Sequence, residues 1–323
     1  MTAMAQTTHA AQPTRDSHES TRHLPPSITI PIIRGEMVIM RPSTTADLPI
    51  MDDLDAYYHA SAVTGKDRVA ERAAVHAWVR RSVRWVQGAV DDSADEDPEA
   101  RRTIAWTLCK VPEDREDDAV TPQNATEVIG MVFLIDIDAW ARSARIQVVL
   151  GREFRGRGYS RDAMPRVMTY GFASRGEGLG LHRVWVSVPE KNQRAISVYQ
   201  SLGFERSGEA RDALWDERNG KYQNLIVMDA LEDEYDPVRS LDVFGMHYIL
   251  GNPGIEQALK RHAQSEETRQ QATSEPDDAA AEAVADETGW PYNTVERKSS
   301  HKAWWRSLGN QRDERRRNTR HNS

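Results

Sequence analysis

Arg155-Gly156-Arg157-Gly158-Tyr159-Ser160 is the stretch on which the reading of the whole chain turns. It follows an apolar run, Ile146 to Leu150, that predicts a strand, and precedes Asp162 to Ala173, which predicts a helix. A short loop of glycine and arginine at such a junction is suited to holding phosphate. Glycines let the main chain approach an anion closely. The first N–H groups of a helix have no internal acceptor and point outward, and the helix dipole adds favourable potential. Arg155 and Arg157 add fixed positive charge in a planar fork that suits phosphate oxygens.

Two commoner phosphate loops are excluded by the same residues. A Walker loop needs Lys and then Ser or Thr after its second glycine, and a dinucleotide fingerprint needs three glycines at other spacings. What remains is Arg155-x-x-Gly158-x-Ser160. This resembles the Gln/Arg-x-x-Gly-x-Gly/Ala motif of the GNAT superfamily of N-acetyltransferases, which wraps the pyrophosphate of acetyl-CoA. Ser160 departs from the usual Gly or Ala but is small.

A second segment runs from His182 to Phe204. Arg183 to Val188 alternates with β-branched and aromatic residues and predicts a strand closed by Pro189. Asn192 is placed to cap a helix carrying Ile196, Val198, Tyr199 and Leu202, with Gly203 at its end and Phe204 opening the next strand. This resembles the Asn-x-x-Ser-x-x-x-Tyr-x-x-x-Gly-Phe segment of the same superfamily, with Ala195 in place of Ser. The resemblance implies that Tyr199 acts as general acid and that Asn192 lies against the pantetheine arm. From the residues alone, Tyr199 also reads as an aromatic on a buried helix face, and Asn192 as a cap and nothing more.

Composition bounds what folds. Hydrophobic residues make up 39% of the 323 positions, and mean hydropathy is −0.68. The deficit lies at the ends: residues 1–27 are rich in Thr, Ser, His and Gln, 264–289 are acidic and Ala-rich, and 295–323 are strongly basic. Such segments bury too little apolar surface to offset their ordering entropy, so 1–27 and 263–323 are expected to be disordered tails. A catalytic domain is expected over 28–235. An ordered extension over 236–262 follows, because Leu241, Val243, Phe244, Met246, Tyr248, Ile249 and Leu250 are too apolar to float free. That extension could line the acceptor site, cover a sheet edge or make a subunit contact.

No apolar run is long enough to cross a bilayer, the first residues lack a secretory hydrophobic core, and the single Cys109 rules out an internal disulfide framework. No His or Cys cluster has metal-ligand spacing. A cytoplasmic, metal-free protein is expected, as a monomer or homodimer without membrane contact. The net charge of −8 argues against a nucleic-acid binder overall. The basic C-terminal tail, with Trp304 and Trp305, could nonetheless touch nucleic acid or the ribosome, or fold back on the acidic block before it.

Along the chain, strands are predicted at 37–41, 103–110, 126–136, 144–150, 182–188, 205–214 and 221–230. Helices are predicted after Thr44 or Thr45, over 70–87, over 161–174 and over 193–202. Asn219-Gly220 signals a tight hairpin between the last two strands. The resemblance spans residues 33–232 and implies an α/β fold of the GNAT type, a mixed and mostly antiparallel twisted sheet of about seven strands flanked by about four helices.

The chemistry implied is acetyl transfer from acetyl-CoA to a primary amine by direct attack. Backbone N–H groups of residues 156–160 would hold the pyrophosphate, and Val148 to Leu150 would pair with the pantetheine amides. The N–H of Val149 or Leu150 would polarise the thioester, a donor worth roughly 3 kcal/mol of barrier. Opening residues Gly35 to Pro42, the Gly158-Tyr159 pair and the Gly220-Lys221 hairpin resemble the ribosomal-protein branch, so a protein N-terminal amine leads, with a polyamine or aminoglycoside as alternative. Two departures matter. Arg145 stands where the family often has a basic Glu, and Asn224 where it often has Asp. An arginine cannot accept a proton at neutral pH. Asp136, Asp138 and Glu190 are the available carboxylates, and a non-catalytic CoA-binding regulatory module is the reading from another class.

Overall fold

In the computed structural model, which describes residues 22–88, 97–112 and 127–274, the strands β5 (Ser143–Leu150) and β6 (Arg183–Pro189) run parallel. Every other neighbouring pair in the eight-stranded sheet is antiparallel. The remaining strands are β1 (Ile33–Arg34), β2 (Val38–Pro42), β3 (Ile104–Lys110), β4 (Val128–Asp138), β7 (Glu205–Asp216) and β8 (Lys221–Leu231), in the order β1-β2-β3-β4-β5-β6-β8-β7. The described helices are α1 (Asp47–Asp53), α2 (Ala60–Val63), α3 (Arg68–Gln87), α4 (Tyr159–Phe172), α5 (Gln193–Ser201), α6 (Pro237–Asp242) and α7 (Ile255–Ser274).

β4 is apolar almost without interruption, Val-Ile-Gly-Met-Val-Phe-Leu-Ile, because helices cover both faces of the sheet there. On one face Ala163, Met164, Val167 and Met168 of α4 pack over Val132, Leu134, Ile146 and Val184. On the other, Met51 of α1 and Val75, Trp78 and Val79 of α3 pack over Met131, Phe133, Ile135 and Val149. Trp78 and Trp85 are core residues, and Cys109 is a buried free thiol. Val86, near the end of α3, is exposed.

Local signals explain most boundaries. Asp67 accepts hydrogen bonds from the N–H groups of Val69 and Ala70, so α3 starts at Arg68, and Gly88 ends it in the left-handed region at φ 63°. α4 begins two residues before its expected start, because Gly158 adopts φ 98° and releases the chain directly into the helix. The first helix departs more. It stops at Asp53, and no side chain of Thr44 or Thr45 caps it. Instead Asp47 accepts from the N–H and hydroxyl of Thr44, at 2.8 and 3.1 Å, and pairs with Arg41. Asp55 and His59 then take positive φ, and Tyr57 between them enters the core. The short α2 and α6 and the two-residue β1 are too brief to leave a period in the sequence, which accounts for these extra elements.

The extension after β8 packs behind α4. Tyr235 donates to the Pro165 carbonyl at 3.2 Å, and the Ser240 hydroxyl donates to the Leu202 carbonyl at 3.1 Å. Gly254 lies against Ala173 so closely that a Cβ would stand 2.5 Å from it. Asn252 brackets the edge strand β1, accepting from Arg34 N–H at 2.9 Å and donating to its carbonyl at 2.7 Å. Of the three roles left open for this segment, it covers the sheet edge. Its final helix runs to Ser274, beyond the expected end at 262. The basic tail, with Trp304 and Trp305, lies outside the described residues.

One buried carboxylate fixes α4 against the start of the sheet. Asp162, fully buried, accepts the N–H groups of Glu36, Met37 and Val38 and two donors of Arg166. Gly35 must lack a side chain, since its Cβ would stand 2.2 Å from the carboxylate. Asp162→Asn leaves the buried Arg166 cation without its counter-charge and is expected to cost about 3 kcal/mol. Urea unfolding measures the loss, and a midpoint equal to wild type would contradict this account.

Candidate active site

β5 and β6 stay together for only three residue pairs: Ser143 with Arg183, Ala144 with Val184 and Arg145 with Trp185. Beyond them β5 continues along β4 to Leu150, while β6 follows β8 to Pro189. From Ile146 onward, one edge of β5 therefore has no strand partner among the described residues. Unpaired main-chain groups in a partly buried cleft demand partners, which a ligand carrying amides can supply.

A cavity of about 260 Å³ lies in this opening. Its floor is Val148, Val149 and Leu150; one end is the glycine loop; one wall is α5; the other comes from α2 and the start of α3. Nine of the eleven anticipated site residues line it: Val148, Val149, Leu150, Arg155, Gly156, Gly158, Ser160, Asn192 and Tyr199. Arg157 and Tyr159 do not.

The glycine loop is open to an anion. Gly156 and Gly158 sit at φ 79° and 98°, conformations that side-chain-bearing residues avoid. The helix ladder starts with Arg161 and Asp162, which donate to the Gly158 carbonyl. The N–H groups of residues 156–160 meet no acceptor among the described residues. The geometry fits a diphosphate at a helix start.

Arg155 does not act as expected. Arg155 is turned inward, donating to the carbonyls of Leu150 at 3.2 Å, Tyr58 at 2.7 Å and Ala56 at 2.6 Å. Burial works against its charge, and the carbonyl dipoles hold it. It ties β5 to the chain between α1 and α2 rather than offering a fork to phosphate. Arg157 is exposed, and the Tyr159 ring is in the core, edge-on to Phe154 at 6.2 Å, so only its main chain faces the loop. Two cations unmarked by either motif line the cavity instead, Arg161 and Arg194. The Arg194 guanidinium donates to the Gly156 carbonyl at 3.1 Å. Its place two residues after the capping Asn192, within the first turn of a helix facing the loop, was the signal available.

Asn192 caps α5 by accepting from Ala195 N–H at 3.2 Å, while its amide nitrogen has no partner among the described residues. Tyr199 projects from the same helix, half-buried, with its ring 5.6 Å from Phe204. Its hydroxyl has no protein partner among the described residues, and burial pushes its pKa up to about 12, so the phenol keeps its proton at neutral pH. Cys109 lies away from the cavity, and burial raises its pKa, which fits a small core residue.

Arg145 bonds Asp136 at 2.8 Å and lies 5.8 Å from the ring of Trp78 and 5.5 Å from that of Trp185. Of the carboxylates considered from sequence, Asp136 is thus engaged, Asp138 caps the turn at Trp140 and Ala141, and Glu190 lines a separate groove beside α5. Asn224 bonds Glu209 and the N–H of Asp212. None of the four lines the cavity; among the described residues, the carboxylate that does is Glu71.

A family model described as the acetyltransferase (GNAT) domain matches residues 38–205. Spermidine N(1)-acetyltransferase of Vibrio cholerae is 32% identical over 108 residues, 33% of this chain and 59% of that protein. A Bacillus subtilis protein, provisionally described as the ribosomal N-acetyltransferase YdaF, is 32% identical over 107 residues, 33% of this chain and 55% of that protein. The chain thus spans little more than half the length of these curated relatives. The crystal structure of Vibrio cholerae spermidine N-acetyltransferase with CoA and spermine shares 20% identity, with a TM-score of 0.46, over 62% of this chain and 98% of that one. With the domain match covering more than half its length, the chain belongs to the GNAT acetyltransferase family.

Proposed function

We propose that the chain is an acetyl-CoA-dependent N-acetyltransferase that acts on a primary amine by direct attack, with a polyamine as acceptor. The observation that carries this is the row of unsatisfied N–H groups at residues 156–160, set at the end of a strand edge that has lost its neighbour. Acetyl-CoA offers the matching chemistry: a diphosphate for the loop, two amides for the strand edge and a thioester beyond them.

Each residue then has a task. The loop amides and the start of α4 hold the diphosphate, with Arg194 and Arg161 adding charge. Val148 to Leu150 align the pantetheine arm, and the N–H of Val149 or Leu150 polarises the thioester carbonyl. The free amide nitrogen of Asn192 steadies the arm. Tyr199, protonated and unpaired, gives its proton to the departing thiolate, a contribution of about 100- to 10,000-fold. Placing two bound substrates together supplies much of the rest.

Spermidine acetyltransferases among the relatives, together with a carboxylate in the cavity wall, favour a polyamine over the protein N-terminus anticipated from sequence. A provisionally ribosomal relative keeps the protein acceptor as the second reading. A free hydroxyl at Tyr199 weighs against a module that has lost catalysis. Incubation with labelled acetyl-CoA and a panel of polyamines, aminoglycosides and N-terminal peptides, read by mass spectrometry, is expected to give acetylated polyamine. Labelled peptide alone would restore the protein acceptor, and no product from any amine would favour the module.

Two substitutions test the roles. Tyr199→Phe is expected to lower kcat by about 100-fold or more while calorimetry shows unchanged acetyl-CoA affinity; wild-type turnover would remove Tyr199 from the chemistry. Gly158→Ala has room for its methyl group, with Met37 Sδ 3.7 Å away, but must hold φ near 98°. The strain, about 1–2 kcal/mol, is expected to weaken acetyl-CoA binding roughly tenfold.

A further inference from the structure

Neither motif supplies a group to receive the amine, and the position where a base was expected holds Arg145, locked to Asp136. We propose that Glu71 receives the ammonium group of the acceptor and takes its proton. The inference rests on the acetyltransferase reading and deepens it.

Glu71 lies in the first turn of α3, held between the α2–α3 loop and the sheet, and is 2% exposed. One carboxylate oxygen, Oε2, accepts from the Thr64 hydroxyl at 3.0 Å and lies 3.8 Å from the Lys66 ammonium. The other, Oε1, is buried without any partner, although the residue lines the cavity that holds Tyr199 and Val149. A buried carboxylate oxygen with no donor is costly, and a cationic N–H donor is the group that best relieves it.

The charges around it leave that oxygen available. Lys66 is shared with the ring of Trp78, 5.1 Å from its centroid. Arg155, across the cavity end, feels the Glu71 charge, but its donors are spent on three carbonyls. Tyr57, behind Glu71, is buried with its own hydroxyl unpartnered. Asp52 draws Arg72 and His76 to the far side of the helix. Among the described residues, Glu71 Oε1 is therefore the carboxylate oxygen of the cavity lining that has no donor, and a cationic amine bound in the cavity can supply one.

The step balances. The ammonium passes one proton to Glu71, and from there to solvent. Its freed lone pair forms the C–N bond at the thioester carbonyl, and the C–S bond breaks. The thiolate leaves with the phenol proton of Tyr199, and the phenolate recovers the second proton that the nitrogen loses as the amide forms.

The test uses the full chain with acetyl-CoA and spermidine across pH 6 to 10. Glu71→Gln keeps the shape and removes the base. It is expected to lower kcat/KM for spermidine on the order of 100-fold and to leave acetyl-CoA affinity within about twofold. Lys66→Met, at a half-exposed site that tolerates change, keeps the proposal testable if the first variant does not fold. Removing this neighbouring cation, 3.8 Å from Oε2, takes away a charge that repels the ammonium and is expected to lower KM for spermidine about twofold or more with acetyl-CoA affinity unchanged. Wild-type kcat/KM in Glu71→Gln, or an unchanged KM for spermidine in Lys66→Met, overturns the role of Glu71. So does a tenfold loss of acetyl-CoA affinity in Glu71→Gln, which would mean that Oε1 serves the pantetheine amides. Failure of the wild-type chain to take up acetyl-CoA overturns the parent reading instead, and this one with it.

Discussion

The constraint behind the site is that β5 and β6 each have a better partner elsewhere. β5 is held along β4 to its end, and β6 along β8 to its end, so the two share only their first three residues. A sheet normally closes such a gap, because open main-chain groups are costly away from water. Here α4 and α5 descend from the two diverging strand ends and keep them apart. Glycines at 156 and 158 turn the chain between β5 and α4 so that the helix amides open into the same space. The cleft therefore follows from strand pairing, with few side chains needed to shape it.

Side chains then decide what the cleft can do, and charge placement is the main lever. Arg155 is consumed as a structural tie among three carbonyls. Asp162 and Arg166 neutralise each other behind α4, and Arg145 and Asp136 do the same beside β5. With these pairs settled, positive charge at the loop end comes from Arg161 and Arg194, and negative charge in the wall from Glu71. The loop end of the cavity and its α3 wall thus differ in sign.

Much of this was legible in the chain. Alternating Arg183 to Val188, the Asn192 cap and the glycine loop announced themselves because strand period, helix caps and positive-φ glycines are local signals. Long α3 showed its stripe of Val75, Trp78 and Val79. The misreadings share a cause. Whether Arg155 faces phosphate or carbonyls depends on Ala56 and Tyr58, about a hundred positions away in sequence. Glu71 sits at a helix start, where an acidic residue is ordinary, and only the fold brings it to the cavity. Thr44 and Thr45 were legible as a capping region, but not that Thr44 would donate to Asp47 instead of capping the helix. Contacts between distant segments leave no period for a sequence to display.

Asn252 carries a consequence for the molecule's company. By accepting from and donating to the same residue, Arg34, its amide does for β1 what a neighbouring strand would do. A bare outer rim of a sheet is a template on which another copy can dock and from which fibres grow. One carboxamide, delivered by the segment after β8, takes up the main-chain donor and acceptor of Arg34 from within the chain, so that residue of the rim has nothing left to offer an incoming strand.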